Sequence, residues 1–254
     1  MIPIRDDNPH FLTPVVTYAI IAANVLAWVF VQGMGTEASL ARSLCDLGLI
    51  PGELLGRAVP GTIVPLSPHF SCVVDPHGDW RTVLTHMFLH GGWLHLLGNM
   101  WFLWIFGNNV EDSMGHARFV VFYLLCGLAA AGLQVMASPT SAVPMVGASG
   151  AIGGVMGAYV VLYPRVRVYM LLWFGFFVQT VAVPAAFMLL YWLLLQLIGG
   201  ATSLGSEGGG VAFWAHVGGF VTGALLVLLF RDPALVARHP YHGWSAPARG
   251  GWSD

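Results

Sequence analysis

Apolar stretches near membrane-crossing length, six of them, divide this chain and leave few folds open. A helix crossing about 30 Å of hydrocarbon needs about 20 largely apolar residues. Such stretches are read at 14–32, 93–110, 117–137, 149–163, 184–199 and 211–230. The fourth stops at Pro164 and Arg165. Residues 168–183 are apolar too, but one untilted helix cannot hold all of 168–199, and Pro184 divides it. We read 168–183 as an interfacial or partly inserted lead-in to the fifth span. Charged residues make up only 9% of the chain, against about 25% in a soluble domain. That excludes a disordered chain, a nucleic-acid binder with a basic face and an ordinary soluble α/β enzyme. The expected fold class is an all-α membrane protein, a bundle of six transmembrane helices.

Orientation follows from the basic residues, all of which are Arg. Short loops rich in Arg or Lys stay cytoplasmic. With both termini inside, Arg5, Arg118, Arg165, Arg167, Arg231, Arg238 and Arg249 fall on the cytoplasmic side. Arg42, Arg57 and Arg81 share one long outer loop, 33–92. The organisation expected is a cytoplasmic N-terminus at 1–13, a helical domain at 14–230 and a loosely ordered cytoplasmic tail at 231–254. No small-residue cleavage site follows the acidic N-terminal segment, so the first span reads as an uncleaved signal anchor. In the outer loop, Leu40, Leu44 and Leu47 fall on one face of 36–47, as in a helix lying in the membrane interface. Cys45 and Cys72 share that loop; a disulfide and two small buried residues are both open readings. With Cys126 they make no metal spacing.

Strongly polar groups inside a span are costly and commonly line a cavity or a site. Those singled out are His95 and Asn99 in the second span, Ser149 at the head of the fourth and His216 in the sixth. No Asp or Glu falls inside these spans as bounded above. A Ser-His-Asp triad with its acid in the membrane is therefore unavailable, and packing is expected to orient any catalytic imidazole. His86, His90 and His95 invite a metal reading, or a transporter. There is no HExxH, no carboxylate or thiol at ligand spacing and no acidic coupling residue in the membrane, so neither metal nor cofactor is expected.

Ser149 lies in GASGAIGGVMG, flanked by Gly147 and Gly150, which allow close approach of a substrate backbone. The helix it opens is about 22 Å long at 1.5 Å per residue, short of the bilayer core, so its head should begin below the outer surface. Irregular backbone at that depth survives only where protein buries it or water reaches it. Gly153 and Gly157 follow Ser149 at helical spacing, and Gly219 and Gly223 follow Ala215. These small-residue stripes let the fourth and sixth helices pack backbone to backbone. Both run outside to inside, which brings Ser149 and His216 to one depth, as a nucleophile and its base must be.

The motifs WRTVLTHMFLHGGWLHLLGNMW (80–101), GNNVEDSMGHARF (107–119), GASGAIGG (147–154) and AHVGGFVTG (215–223), in this order and on these spans, resemble the rhomboid intramembrane serine proteases. The resemblance implies a six-helix rhomboid bundle, N-in/C-in, with a water-accessible cavity on the outer side. It implies a serine endopeptidase that cleaves transmembrane segments of protein substrates near the outer leaflet. Ser149 would be the nucleophile and His216 the general base. His95, Asn99 and the Ser149 N–H would stabilise the oxyanion. His86 and His90 would be structural or water-organising, and Trp80 and Arg81 part of a structural loop. Glu111 and Arg118 match a cytoplasmic turn, where an ion pair or a cap is expected. Some members carry an aromatic ring four residues after the nucleophile; Gly153 stands there, so Phe213 or Trp214 is the expected support for His216. The loop 205–210 reads equally as a cap over the site or a linker. The bilayer and transmembrane substrates are the expected partners, with no metal and no nucleic acid, in a multi-pass protein of a bacterial inner membrane. The alternative is a catalytically silent relative that binds membrane clients.

Overall fold

A computed structural model describes residues 2–203 and 210–243. Its long helices match the apolar stretches closely. Helix α1 spans Val15–Leu26 and continues through a π-helical turn at Ala27–Val31. The outer-loop helix α2 is Glu37–Leu47. Then come α3 (Trp93–Met114), α4 (His116–Ala137), α5 (Ser149–Leu162), α6 (Ala185–Ser203) and α7 (Phe213–Phe230). Among the described residues three helices, α4, α6 and α7, are long and apolar enough by length and composition to cross a membrane. The apolar helices Val15–Val31 and Ser149–Leu162 are shorter. Helix α3 is 22 residues long and carries Asn99, Asn109, Glu111 and Asp112 on its buried surface.

Helix α5 is the axis of the bundle, with nearly all its side chains buried. Its glycines set how near α7 can come. A Cβ on Gly219 would run into the Gly150 carbonyl, one on Gly223 into the Gly154 carbonyl, and one on Gly157 into the Phe220 carbonyl. Only hydrogen at these positions permits that approach, so dispersion between two backbones replaces the hydrophobic drive that lipid does not supply. Phe106, Phe119, Phe122 and Tyr159 fill the core around this contact.

The all-α expectation is corrected in two places. Residues 168–183, read as an interfacial or partly inserted lead-in to the fifth span, are not helical: strands Arg167–Phe174 and Phe177–Pro184 form an antiparallel hairpin. The N-terminal strand Ile2–Asp6 adds to the free edge of Arg167–Phe174, giving a three-stranded sheet. Gly175, at φ +60°, makes the hairpin turn. The run Val168–Trp173 mixes β-branched, aromatic and leucine side chains that suit a pleated surface. A smaller ribbon pairs Ile63–Pro65 with Ser71–Val73 in the outer loop. There Cys45 and Cys72 form a disulfide that ties α2 to this ribbon.

At the end of the bundle near this three-stranded sheet, Glu111 and Arg118 do not pair with each other. Glu111 is fully buried and accepts from Val16 N at 3.0 Å, Thr17 N at 2.8 Å and Thr17 Oγ1 at 2.7 Å. It caps α1, whose first N–H groups have no acceptor of their own. Asp112 beside it accepts from the Phe11 and Leu12 N–H groups. Arg118 instead lies 3.6 Å from Asp232. The tail is not loose as far as residue 243: Asp232 N donates to Ser113 O, and buried His239 sits 3.1 Å from Asp112. Residues 244–254 of that tail, and most of the predicted cap at 205–210, lie outside the described residues.

Candidate active site

The turn before α5 is held from two sides. Met145 and Leu49 exchange backbone hydrogen bonds, and Gly147 N donates to His86 O at 2.9 Å. Gly147 has φ +131°, a left-handed-side conformation that disfavours any side chain. The space forbids one as well, because a Cβ there would stand 2.8 Å from His95 Nε2. Gly150 is excluded from substitution by Ala130 of α4, 2.6 Å from the site of its missing Cβ. These glycines let the chain turn into α5 with Ser149 at its head, and Ser149 remains half-buried rather than sealed.

The close packing of α5 on α7 brings Ser149 Oγ to 2.8 Å from His216 Nε2. On the far side of the ring, His216 Nδ1 is 2.8 Å from Gln196 Oε1 on α6. The Gln196 amide nitrogen donates to Trp192 O at 3.2 Å, which fixes which amide atom faces the imidazole. With a carbonyl oxygen as partner, Nδ1 of a neutral ring carries the proton, and Nε2 is left as an acceptor for the Ser149 hydroxyl. The Trp192 ring lies 5.5 Å from the His216 ring, tilted by 38°. Phe213 and Trp214, the expected supports, turn elsewhere and pack on Gly199 and Gly200 of α6.

His95 Nδ1 accepts from Gly91 N at 3.2 Å. A neutral ring then carries its proton on Nε2, the atom that faces the Gly147–Ser149 turn. Asn99, one turn further along α3, is buried, and its Nδ2 has no hydrogen-bond partner among the described residues. The Ser149 N–H, first in its helix, has no acceptor within the helix. Three donors thus come from α3 and the head of α5. Beside Ser149 is a hollow of about 10 Å³ lined by Met87, Gly127, Ala130, Ala151 and Ala215, enough for about one water.

The other predicted residues are near but differently employed. The His86 ring bonds Thr82 O at 2.9 Å, while its carbonyl holds Gly147. The His90 and His95 rings meet edge to face at 5.1 Å, and neither of the buried His90 ring nitrogens has a hydrogen-bond partner among the described residues. Its peptide is gripped by Gln32, which accepts from His90 N and donates to His90 O, both at 2.8 Å. Trp80 is exposed, and Arg81 pairs with Asp79 at 2.6 Å on the surface. Among the described residues no group of three or more His, Cys, Asp or Glu converges as a metal set. Sequence reasoning missed Gln32, Trp192 and Gln196. The signal for Gln196 was present: it is a polar side chain in an apolar span, the rule that selects Asn99.

A family model described as the Rhomboid domain matches residues 77–233, more than half of the chain. The chain is 36% identical over 154 residues to the rhomboid protease GluP of Bacillus subtilis, covering 60% of this chain and 26% of that protein. It is 30% identical over 148 residues to the putative rhomboid protease YdcA of Bacillus subtilis, covering 58% and 62%. With RHOMBOID-like protein 5 of Arabidopsis thaliana the identity is 29% over 167 residues, covering 59% and 53%. The chain spans less than two thirds of the length of each of these relatives. The matched region contains α3 to α7 with Ser149, His216, His95 and Asn99, and the chain belongs to the rhomboid family of integral membrane proteins, several of whose members are named as proteases.

Proposed function

We propose that this chain is an intramembrane serine endopeptidase acting on transmembrane segments of other proteins. The observation that carries the reading is the 2.8 Å contact of Ser149 Oγ with His216 Nε2, two groups 67 residues apart in sequence. His216 takes the hydroxyl proton as Ser149 attacks a peptide carbonyl, and gives it to the departing amine. The Ser149 N–H, His95 Nε2–H and Asn99 Nδ2–H meet the oxyanion, and water then hydrolyses the acyl-enzyme. An unpartnered buried amide costs stability, and Asn99 makes sense if its partner forms only during the reaction.

Six crossings with both termini on the cytoplasmic side fit the way the segments gather. Strand Ile2–Asp6 pairs with the hairpin that links α5 to α6. The segment after α7 bonds Ser113 and approaches Asp112 at the α3–α4 turn. Every segment assigned to the inside thus shares one end of the bundle, as an even number of crossings requires. Residues 1–13 and 231–254 would face the cytoplasm and 33–92 the outer side. The orientation is in keeping with the Arg distribution, and the membrane proposed is a bacterial inner membrane. The test is cleavage of a fluorescent transmembrane substrate in detergent. Wild type should cleave; Ser149→Ala and His216→Ala should not, while remaining folded. Equal cleavage by wild type and Ser149→Ala would end the reading.

A further inference from the structure

We propose that Gln196 is a positioning residue that fixes the tautomer and plane of His216, taking the place that an acid holds in a triad. This rests on the Ser-His reading above. A base that must accept from a serine hydroxyl through Nε2 has to keep its own proton on Nδ1, and an acceptor facing Nδ1 enforces that. Gln196 Oε1 is that acceptor, at 2.8 Å and buried. It cannot present its amide nitrogen instead without losing the bond that nitrogen donates to Trp192 O. Residues 192 and 196 are one helical turn apart, so α6 supplies both an oxygen and a ring to the same imidazole. Trp192 is itself braced by Phe220, 6.2 Å away and nearly parallel.

The support comes from α6, while α5 carries no side chain at the position nearest the ring. A Cβ on Gly153 would lie 3.0 Å from His216 O and 3.4 Å from Phe220 N. The approach that sets Ser149 against His216 therefore makes any side chain at this position of α5 a tight fit. A neutral amide also suits the surroundings. A carboxylate buried there would need further partners to offset its desolvation, whereas an amide oxygen needs only the one it has. The cost is weaker stabilisation of the imidazolium formed during proton transfer, which an amide dipole favours less than a full charge would.

The experiment compares Gln196→Leu and Gln196→Met, which keep the bulk and remove the acceptor, with Gln196→Glu, which keeps an oxygen in that place. Steady-state cleavage of the transmembrane substrate in detergent gives kcat and KM separately, with thermal melting recorded alongside. The expected result is a fall in kcat of at least about tenfold in the Leu and Met variants with KM within about twofold. Gln196→Glu, which keeps an acceptor but loses the bond to Trp192 O, should retain a higher kcat than the Leu and Met variants. If Leu and Met variants keep the wild-type kcat while Ser149→Ala is inactive, the positioning role is wrong and the Ser-His reading stands. If Ser149→Ala is active, the Ser-His reading itself fails. Imidazole ¹⁵N spectra of the wild-type protein, assigned by the signal lost in His216→Ala, test the same point without any Gln196 variant. They should show the Nδ1–H tautomer of His216, and a dominant Nε2–H tautomer would overturn the inference.

Discussion

Helix α3 carries two polar groups about 20 Å apart along its axis, and they are partnered in opposite ways. Toward its start are His95 and Asn99, next to His90. There the Asn99 Nδ2 and both His90 ring nitrogens are buried without a hydrogen-bond partner among the described residues. Toward its end are Glu111 and Asp112. Glu111 accepts from Val16, Thr17 and His116, and Asp112 accepts from Phe11 and Leu12, with His239 Nε2 3.1 Å away. A buried donor left unpaired costs about 1–3 kcal/mol, so the first group is held at a loss and the second secures the fold. Both occupy one helix in one family domain. On the proposed function, the difference separates an end open to a substrate carbonyl from an end that holds α1, α3 and the C-terminal segment together.

The largest separation of the two should come from Asn99→Ala. Losing one oxyanion donor lowers kcat by about 10²–10³, yet melting in detergent should be unchanged or slightly improved, since an unpaired donor disappears. Glu111→Ala should do the reverse. It strands the N–H groups of Val16 and Thr17 and the Thr17 hydroxyl, and should lower stability by about 3 kcal/mol on the scale for buried unpaired groups. Its kcat, read on the protein that remains folded, should stay within about threefold. If Asn99→Ala melts early at full kcat, or Glu111→Ala is stable but inactive, the division along α3 is wrong.

A smaller effect lies in the N-terminal strand. Asp6 accepts a hydrogen bond from Tyr159 of α5. Burial raises its carboxyl from 3.8 to about 6, against the lowering pull of that hydroxyl. The folded protein therefore holds this proton more tightly than the unfolded chain. The stabilisation is fully present below the unfolded value and is lost as pH rises toward about 6. Melting temperature should fall over that window in wild type, and Asp6→Asn should flatten the slope. An unchanged slope in the variant would assign the pH dependence to other groups.

Much of this was legible in the residues because membrane helices advertise themselves. Apolar runs bounded by Pro164, Pro184 and Arg231 locate both ends of α5 and α7 and the start of α6 to within about two residues, the usual uncertainty of helix ends, while α6 runs four residues beyond the end read at 199. The glycines at 153, 157, 219 and 223 foretell the α5–α7 approach, since nothing else allows backbones so close. The sheet was hidden, because an N-terminal strand pairing with residues 167–171 leaves no local trace: register is a property of two distant segments. The Cys45–Cys72 bridge was undecided for the same reason. The cap expected at Glu111 is there, but its burial and its partner, the start of α1, were hidden, because Glu111 lies just past the span boundary drawn at 110, where a charge reads as surface. Gln196 is a different case, a polar residue among leucines that the rule for costly groups already covers. The support for His216 was sought in rings beside it in sequence, whereas it comes from a neighbouring helix.

The central claim is that Ser149 is made nucleophilic by His216. Incubation of the detergent-solubilised protein with a fluorophosphonate, followed by mass analysis of the modified peptide, reads this directly. The account predicts one adduct, on Ser149, in wild type and none on the same timescale in folded His216→Ala. An adduct on another residue, or labelling of Ser149 at the wild-type rate without His216, would contradict it.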